Sequence, residues 1–554
     1  MEPGLLRGVL DALFPSGPGQ SLPEEYSHGR EDSPVPVTAE ELVGAAGRMS
    51  ARNTVPSPDG VPGKAVVLTL PVLGDVIRRL FDMCLREGTV PGCWKTSKLV
   101  LLPKSRKDPD STGACRPICL LNEMSKLFER VILARITKHL EEVGPDLQPH
   151  QYCFRPRRST IDAIERVTSI IKKTTGQRGI ALAVSVHIAN AFNSISWDAI
   201  MTGLEWHGFP VYIQRLIGSY LEGRTAEYRG KDGMQKRPIG RGVPQGSVIG
   251  PSLWNIGYDQ VLRAALPIGV FVTCYTDDTL QVACGGEWMH AIRLIEAGLA
   301  SIIARINSLG LEVATQKMEA VWVHNLPRNR SPPPSWVAVG QGQRIPVGRS
   351  MKYLGLTLDG RLTYEKHIEQ IAPKLEKTAL HLGRLLPNIG GLGVRARRLY
   401  TAIIQSMALH GALIWAREGP LSRRIRDTLR KAQRRMALRL IRGYRTVSAE
   451  AAFALAGMTP FDHLAKAFAE VYWGSRRQAA QAQEPAIDPE QLKARPCGGQ
   501  IGVGGGNLRG AVRLSGERWR SSTPVGTTGR RSGPLCSHTE LHRCSPGTAA
   551  SVST

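Results

Sequence analysis

Two adjacent carboxylates inside an otherwise apolar stretch are the first residues of this sequence whose types and spacing point to chemistry. Residues 271–285 read FVTCYTDDTLQVACG, an apolar run, then Asp277 and Asp278, then a second alternating run. That pattern predicts a β-hairpin whose tight turn projects the two acids side by side. Like charges held that close repel unless a cation compensates them. Two readings stand on these residues alone: a surface hairpin with solvated acids, because Asp is common in turns, or a set of ligands for a divalent cation.

The company this hairpin keeps decides between them. Upstream lie ACRPICLLNEMSKLFERVI (residues 114–132), QYCFRPRRSTIDAI (151–164), NAFNSISWD (190–198) and GVPQGSVIGPSLWN (242–255). Downstream lie GLEVATQKMEAVWV (310–323) and MKYLGLTLDGRLTYEKHI (351–368). In this order, over roughly residues 50–480, the sequence resembles a reverse transcriptase of the non-LTR retrotransposon type, and within that group the R1 clade of insect elements. Tyr275-Thr276-Asp277-Asp278 takes the place of the YxDD box.

The resemblance implies an RNA-directed DNA polymerase. The primer 3′-hydroxyl attacks the α-phosphate of a dNTP, helped by two Mg²⁺ ions that carboxylates must hold. Asp277 and Asp278 take two of the carboxylate roles and the metal-ligand roles. Phe192 falls at the family's steric gate, which excludes a ribose 2′-hydroxyl; read without the resemblance, it is a core aromatic. Gln245 and Gly246 fall under the incoming nucleotide. Lys317 matches the lysine assigned to the pyrophosphate leaving group, and by itself is equally a solvated strand end. Arg116 and Arg155 match finger residues near the triphosphate, where planar bidentate groups suit phosphate oxygens; the plain alternative is two surface arginines. An RNA-dependent RNA polymerase shares this chemistry, but Phe192 as a dNTP-selecting ring argues against it.

One position breaks the pattern. Laying NAFNS over D-x-x-N-A-F-N-S puts the family's first catalytic aspartate at position 187, and this chain has His187. Between Glu165 and Asp198 there is no Asp or Glu, so a slip in register supplies no substitute. Imidazole is a neutral nitrogen ligand suited to zinc more than to magnesium. Polymerisation is expected to be impaired, and the alternative reading is a degenerate copy that only binds nucleic acid. A second departure is Cys153 where the family has glycine; if that position needs positive φ, cysteine is strained there.

Composition supports a polyanionic partner. Lys and Arg number 72 against 47 acidic residues, for a net charge of +25, which suits nucleic acid first and a membrane surface second; the resemblance makes the partners an RNA template and a DNA primer or target. Residues 423–445 hold ten basic residues and the single acid Asp427, with Ile425, Leu429, Ala432, Met436 and Leu440 as an apolar stripe. The resemblance assigns this stretch to helices holding the template–primer duplex, and Arg430, Arg434 and Arg435 are the chosen phosphate contacts. Ten cysteines without a CxxC pair indicate neither a disulfide framework nor an ordinary zinc finger. No apolar run approaches the ~20 residues needed to span a bilayer, and no secretion signal is visible, so nucleus and cytoplasm are the expected compartments.

The elements that must position these residues follow from periodicity and turn signals. Strands are predicted at 94–103, 180–186, 270–274, 311–323 and 351–358, and helices at 122–142, from Ser159 onward, and at 289–309 with Gly310 closing the last. The expected fold class is α+β, a right-hand polymerase with fingers, a palm carrying an antiparallel sheet, and a helical thumb. Residues 1–50 read as a disordered or partial lead-in, 51–350 as fingers and palm, 351–483 as primer-grip hairpin and helical thumb. Residues 484–554, rich in Gly, Ser and Arg, read as a disordered tail. The endonuclease that R1-type proteins usually carry at the N-terminus is expected to be absent, and CSHTELHRC (536–544) matches no zinc-finger spacing.

Overall fold

Ile180–His187 is apolar at nearly every position, and a strand of that kind needs cover on both faces. The computed structural model describes residues 3–15, 33–50, 58–104, 115–327, 332–340, 342–384 and 393–481, and it supplies that cover. In chain order the strands are β1 (Thr96–Pro103), β2 (Cys115–Leu120), β3 (Ile180–His187), β4 (Thr225–Gly230), β5 (Gly233–Pro238), β6 (Val270–Tyr275), β7 (Asp278–Gly285), β8 (Glu319–His324), β9 (Trp336–Gly340), β10 (Gln343–Gly348), β11 (Ser350–Tyr353) and β12 (Leu356–Asp359). The palm sheet has the order β6-β7-β3-β8-β10-β9, which sets β3 between two partners.

Alternation along β3 divides the interior. Leu182, Val184 and Val186 enter one core with Ile200, Leu253 and Ile295 of the palm helices. Ala181 and Ala183 enter the other with Leu356, Leu358 and the helices beyond them. Pairing of β3 with β7 and β8, and of β6 with β7, is antiparallel. The sheet is not antiparallel throughout, however: β10 joins β8 in parallel, because the chain leaves β8 through residues 325–335 and returns as the antiparallel pair β9–β10. A second sheet, β2-β1-β4-β5, builds the fingers, and helices from Glu365 to Gln481 build the thumb. The molecule thus has the α+β right-hand architecture. No helix among the described residues is long and apolar enough to cross a membrane.

Local chemistry explains most element ends. Ser159 and Asp162 form a reciprocal capping box at the start of Thr160–Gly176. Gly310 takes φ +71 just past Trp288–Ser308, the left-handed closure that a glycine there permits. Two expectations need correction. The lead-in contains two helices, Pro3–Leu13 and Ala39–Ser50. The first buries Val9, Leu10, Leu13 and Phe14 against Leu99, Cys119 and Ala226 of the fingers sheet, an apolar repeat that outweighs the local Gly and Pro content. The strand expected at 311–323 is interrupted by the 3₁₀ turn Thr315–Lys317. Pairing with the β3 segment shifts by three residues between Ile188–Val313 and Ser185–Glu319, and the turn takes up that excess. The tail at 484–554 lies outside the described residues.

The first thumb helix meets the β11–β12 hairpin at a buried histidine. His367 is only 2% exposed, its Nδ1 accepts from the Thr357 amide at 3.3 Å, and burial lowers its pKa to about 4. With the folded value below the unfolded ~6.5, the unfolded chain takes up the proton first as pH falls. Stability is therefore present above pH ~6.5 and is lost toward pH ~4, by about 3 kcal/mol at this site. Denaturant midpoints at pH 7.5 and 5 should show that His367→Gln loses less stability on acidification than the parent chain.

Candidate active site

The β6–β7 turn is the tightest a hairpin allows. Tyr275 pairs with Asp278, which leaves Thr276 and Asp277 as the central residues. Thr276 takes φ +64, a value at which glycine is usual and a β-branched residue is strained by roughly 1–3 kcal/mol. The surroundings hold it there. Its carbonyl accepts from Trp254 Nε1 at 3.1 Å and from the Cys274 thiol at 3.2 Å. Trp254 is fixed in turn by stacking on Tyr258 at 5.2 Å, one helical turn further along Gly250–Leu262, and Tyr258 meets Thr279 Oγ1 at 2.9 Å.

Register does the rest. His187, the last residue of β3, lies directly opposite Asp278. Its Nδ1 is 3.2 Å from Asp278 Oδ1 and 3.9 Å from Asp277 Oδ2, and one ligand atom from each of the three residues lies within 4.8 Å of the others. Burial raises the pKa of Asp277 first and repulsion from Asp278 raises it further, opposed by His187 and Lys317. A cavity of about 230 Å³ opens beside the trio, walled by Ser185, His187, Asp278, Lys317, Glu319 and Tyr353. The pair of hard divalent cations implied by the resemblance does not fit these donors. Only two carboxylates are present against four positive charges, and the third ligand is an imidazole. Glu319, the one other acid on the cavity wall, accepts from the Lys352 amide at 2.8 Å instead of joining the trio.

Phe192 is half-buried and stacks on Trp254 at 5.3 Å with an interplanar angle of 23°, so its ring is held against the base of the turn. The loop at residues 242–249, which lies against Phe192, is tied down at several points: the Val243 amide donates to Phe192 O at 2.7 Å and the Cys119 amide to Gln245 O at 2.8 Å. Gly246, at φ +134, passes so close to Cys119 that a Cβ would stand 2.3 Å from its carbonyl oxygen. Beneath the loop sits Glu129, 1% exposed, which accepts from Ser247 Oγ at 2.9 Å and from the amides of Val248 and Ile249. Glu129 was not singled out by motif; its signal was an acid at a core position of an amphipathic helix, four residues after buried Ser125 and three before buried Ile132.

Other predicted residues fare differently. Lys317 lines the cavity, delivered there by the 3₁₀ turn. Arg116 stands exposed on the fingers strand β2. Arg155 is not open to a triphosphate: its guanidinium donates to the carbonyls of Leu147 and Gln148, both at 3.0 Å, and pairs with Asp146, bracing its own loop. Cys153 carries no positive φ; the left-handed positions are the following Phe154 and Arg157, so the strain expected at Cys153 is absent. On Arg423–Ile441 the apolar stripe is buried as expected, but Arg430 pairs with buried Asp462, Arg434 donates to Val447 O, and Arg435 pairs with Glu376. Each of these three guanidiniums therefore has a partner within the thumb, Arg430 and Arg434 half-buried and Arg435 exposed.

Comparison with known proteins converges on the same centre. Residues 102–358 match the family described as reverse transcriptase (RNA-dependent DNA polymerase), a stretch that spans the trio, the loop beneath it and the cavity wall. Over that stretch the chain is similar to reverse transcriptases. It is 29% identical over 451 residues to the putative 115 kDa protein in type-1 retrotransposable element R1DM of Drosophila melanogaster, covering 80% of this chain and 42% of that protein. It is 26% identical over 439 residues to the retrovirus-related Pol polyprotein from type-1 retrotransposable element R1 of Bradysia coprophila, covering 77% and 42%. The chain spans about two fifths of the length of these relatives. Among solved structures, a telomerase from Candida albicans in complex with a fragment of telomeric RNA aligns over 74% of each chain at 12% identity and a TM-score of 0.36.

Removing the partner of buried Asp462, or buried Glu129 itself, is expected to cost stability in a measurable way. Arg430→Ala leaves Asp462, 4% exposed, without its guanidinium, for a loss of about 2 kcal/mol. Glu129→Ala strands two loop amides and the Ser247 hydroxyl, for a loss of about 3 kcal/mol. Urea denaturation of the two variants checks both, and Glu129→Ala should also open residues 242–250 to limited proteolysis while Arg430→Ala should not.

Proposed function

We propose that this chain is the polymerase portion of a non-LTR retrotransposon protein, one that extends a DNA primer on an RNA template with dNTPs, and that His187 weakens the reaction. The observation that carries the reading is the meeting of position 187 with Asp277 and Asp278 at the mouth of a cavity, where three residues distant in sequence converge inside a reverse-transcriptase domain. In such a reaction the primer hydroxyl forms the new bond to the α-phosphorus and pyrophosphate leaves. Lys317 offers a cation on the cavity wall for the departing phosphates. Phe192, wedged on Trp254, offers a rigid face against which a sugar bearing a 2′-hydroxyl would clash. Gln245 and Gly246 lie in a loop pinned against Cys119, where they would support the nucleotide.

Position 187 also favours a second reading, a copy that binds nucleic acid without polymerising. Both readings share the net charge of +25 as their source of sequence-independent phosphate affinity. They part on one substitution. His187→Asp should restore Mg²⁺-dependent dNTP incorporation on a primed RNA template, by at least about a hundredfold, the scale on which loss of one charge-stabilising group is felt. Asp277→Ala in that background should abolish the gain, and Phe192→Ala should admit ribonucleotides. Equal incorporation by the parent chain and His187→Asp would show that position 187 is not the defect; no incorporation by either would favour the binding-only copy.

A further inference from the structure

The poor fit between this donor set and two magnesium ions has a positive counterpart. We propose that His187, Asp277 and Asp278 form a site for one borderline divalent cation of the manganese, cobalt or zinc class, an inference that rests on the reading of this cluster as the metal centre of the domain. The two separations from His187, one of them also within hydrogen-bond reach, suit a single coordination shell. Ligand atoms ~2.0–2.2 Å from one transition cation lie about 3–4 Å from one another, and the separations from His187 Nδ1 to Asp278 Oδ1 and Asp277 Oδ2 are 3.2 and 3.9 Å.

The donor types select the ion. Imidazole nitrogen binds first-row transition cations far better than it binds magnesium, which holds to oxygen and to its own waters. Charge sets the number. Two carboxylates balance one dication, and on the cavity wall the charge of Glu319 is offset by Lys317 and Lys352, which leaves nothing to balance a second.

The protein also holds the ligands for such an ion. His187 ends a strand laddered on one side to β7 and on the other to β8, and its carbonyl accepts from the Ala314 amide at 2.8 Å. The imidazole is therefore delivered beside Asp278 by the sheet itself. The two carboxylates are delivered by a turn pinned through the Thr276 carbonyl. Little has to move for one cation to be gripped by all three, which keeps the ordering cost of binding low.

The test is cobalt binding by the whole chain, without nucleotide or template, followed by its visible absorption and by competition with zinc and magnesium. The expected result is one cobalt ion whose spectrum is lost, with at least a tenfold drop in affinity, in each of His187→Ala, Asp277→Asn and Asp278→Asn. Zinc should displace the cobalt, and millimolar magnesium should not. His187→Asp should lose the nitrogen-ligated spectrum and become sensitive to magnesium. Any binding by cysteines and histidines elsewhere is common to all four variants and cancels in the difference; circular dichroism and a melting curve confirm that each variant is folded. Unchanged cobalt affinity in folded His187→Ala, two ions lost together with the imidazole, or displacement by magnesium at parity would each overturn the proposal. Because no polymerisation is measured, this failure is distinct from failure of the polymerase reading. A chain that binds cobalt through His187 and stays inert as His187→Asp retains the metal site and loses the polymerase assignment.

Discussion

Everything at the cleft depends on the register of one buried strand. β3 is covered on both faces and paired on both edges, so a slip by one residue would turn Leu182, Val184 and Val186 out of one core and force Ala181 and Ala183 to fill it. That penalty, many times the worth of any single hydrogen bond, is what places residue 187 opposite Asp278 whatever its side chain happens to be. Residue 187 contributes little to that packing, because it ends the strand and projects, with Ser185, toward the cavity and out of the packed interior.

Around that strand the site is assembled from strained or crowded pieces, each over-determined by neighbours. The positive φ of Thr276 is held through Trp254 and Cys274. Gly246 tolerates the close carbonyl of Cys119 only for want of a Cβ. Glu129 converts the free amides of a loop into a satisfied buried network, reaching from a fingers helix to the floor of the cleft. The helix at Pro3–Leu13 extends the same logic: Asn190, just after β3, donates from its side chain to the carbonyls of Ala12 and Leu13. Such strain is characteristic of sites where geometry, more than stability, has been favoured.

Electrostatics divides the molecule's many cations into two populations. The arginines at 430 and 434 are half-buried and face a carboxylate and backbone carbonyls, so their charge serves thumb packing, whereas Arg435, paired with Glu376, stays exposed. The exposed Arg423, with an i,i+4 contact to Asp427 at 3.5 Å, and the exposed Arg426 and Lys431 lie along the outer side of the same helix. Net charge alone does not separate these groups, because an arginine is cationic whether it packs or projects.

The YxDD hairpin, the two-faced β3 run, the capping box at Ser159, the glycine closure at Gly310 and the His187 departure were all legible in the sequence, because each rests on residue type and spacing within about a dozen positions. The helix at Pro3–Leu13 was legible in principle, but its apolar repeat was masked by neighbouring Gly and Pro. What only tertiary structure decided is which groups meet. The parallel joint of β8 and β10, the three-residue excess that aims Lys317 at the cavity, the capture of Arg155 by Asp146, and Glu129 beneath a loop 119 residues away all depend on contacts between segments whose separation carries no periodic signal. Local pattern specifies an element and its buried face; the partner of a polar side chain is set by which other elements that face is pressed against.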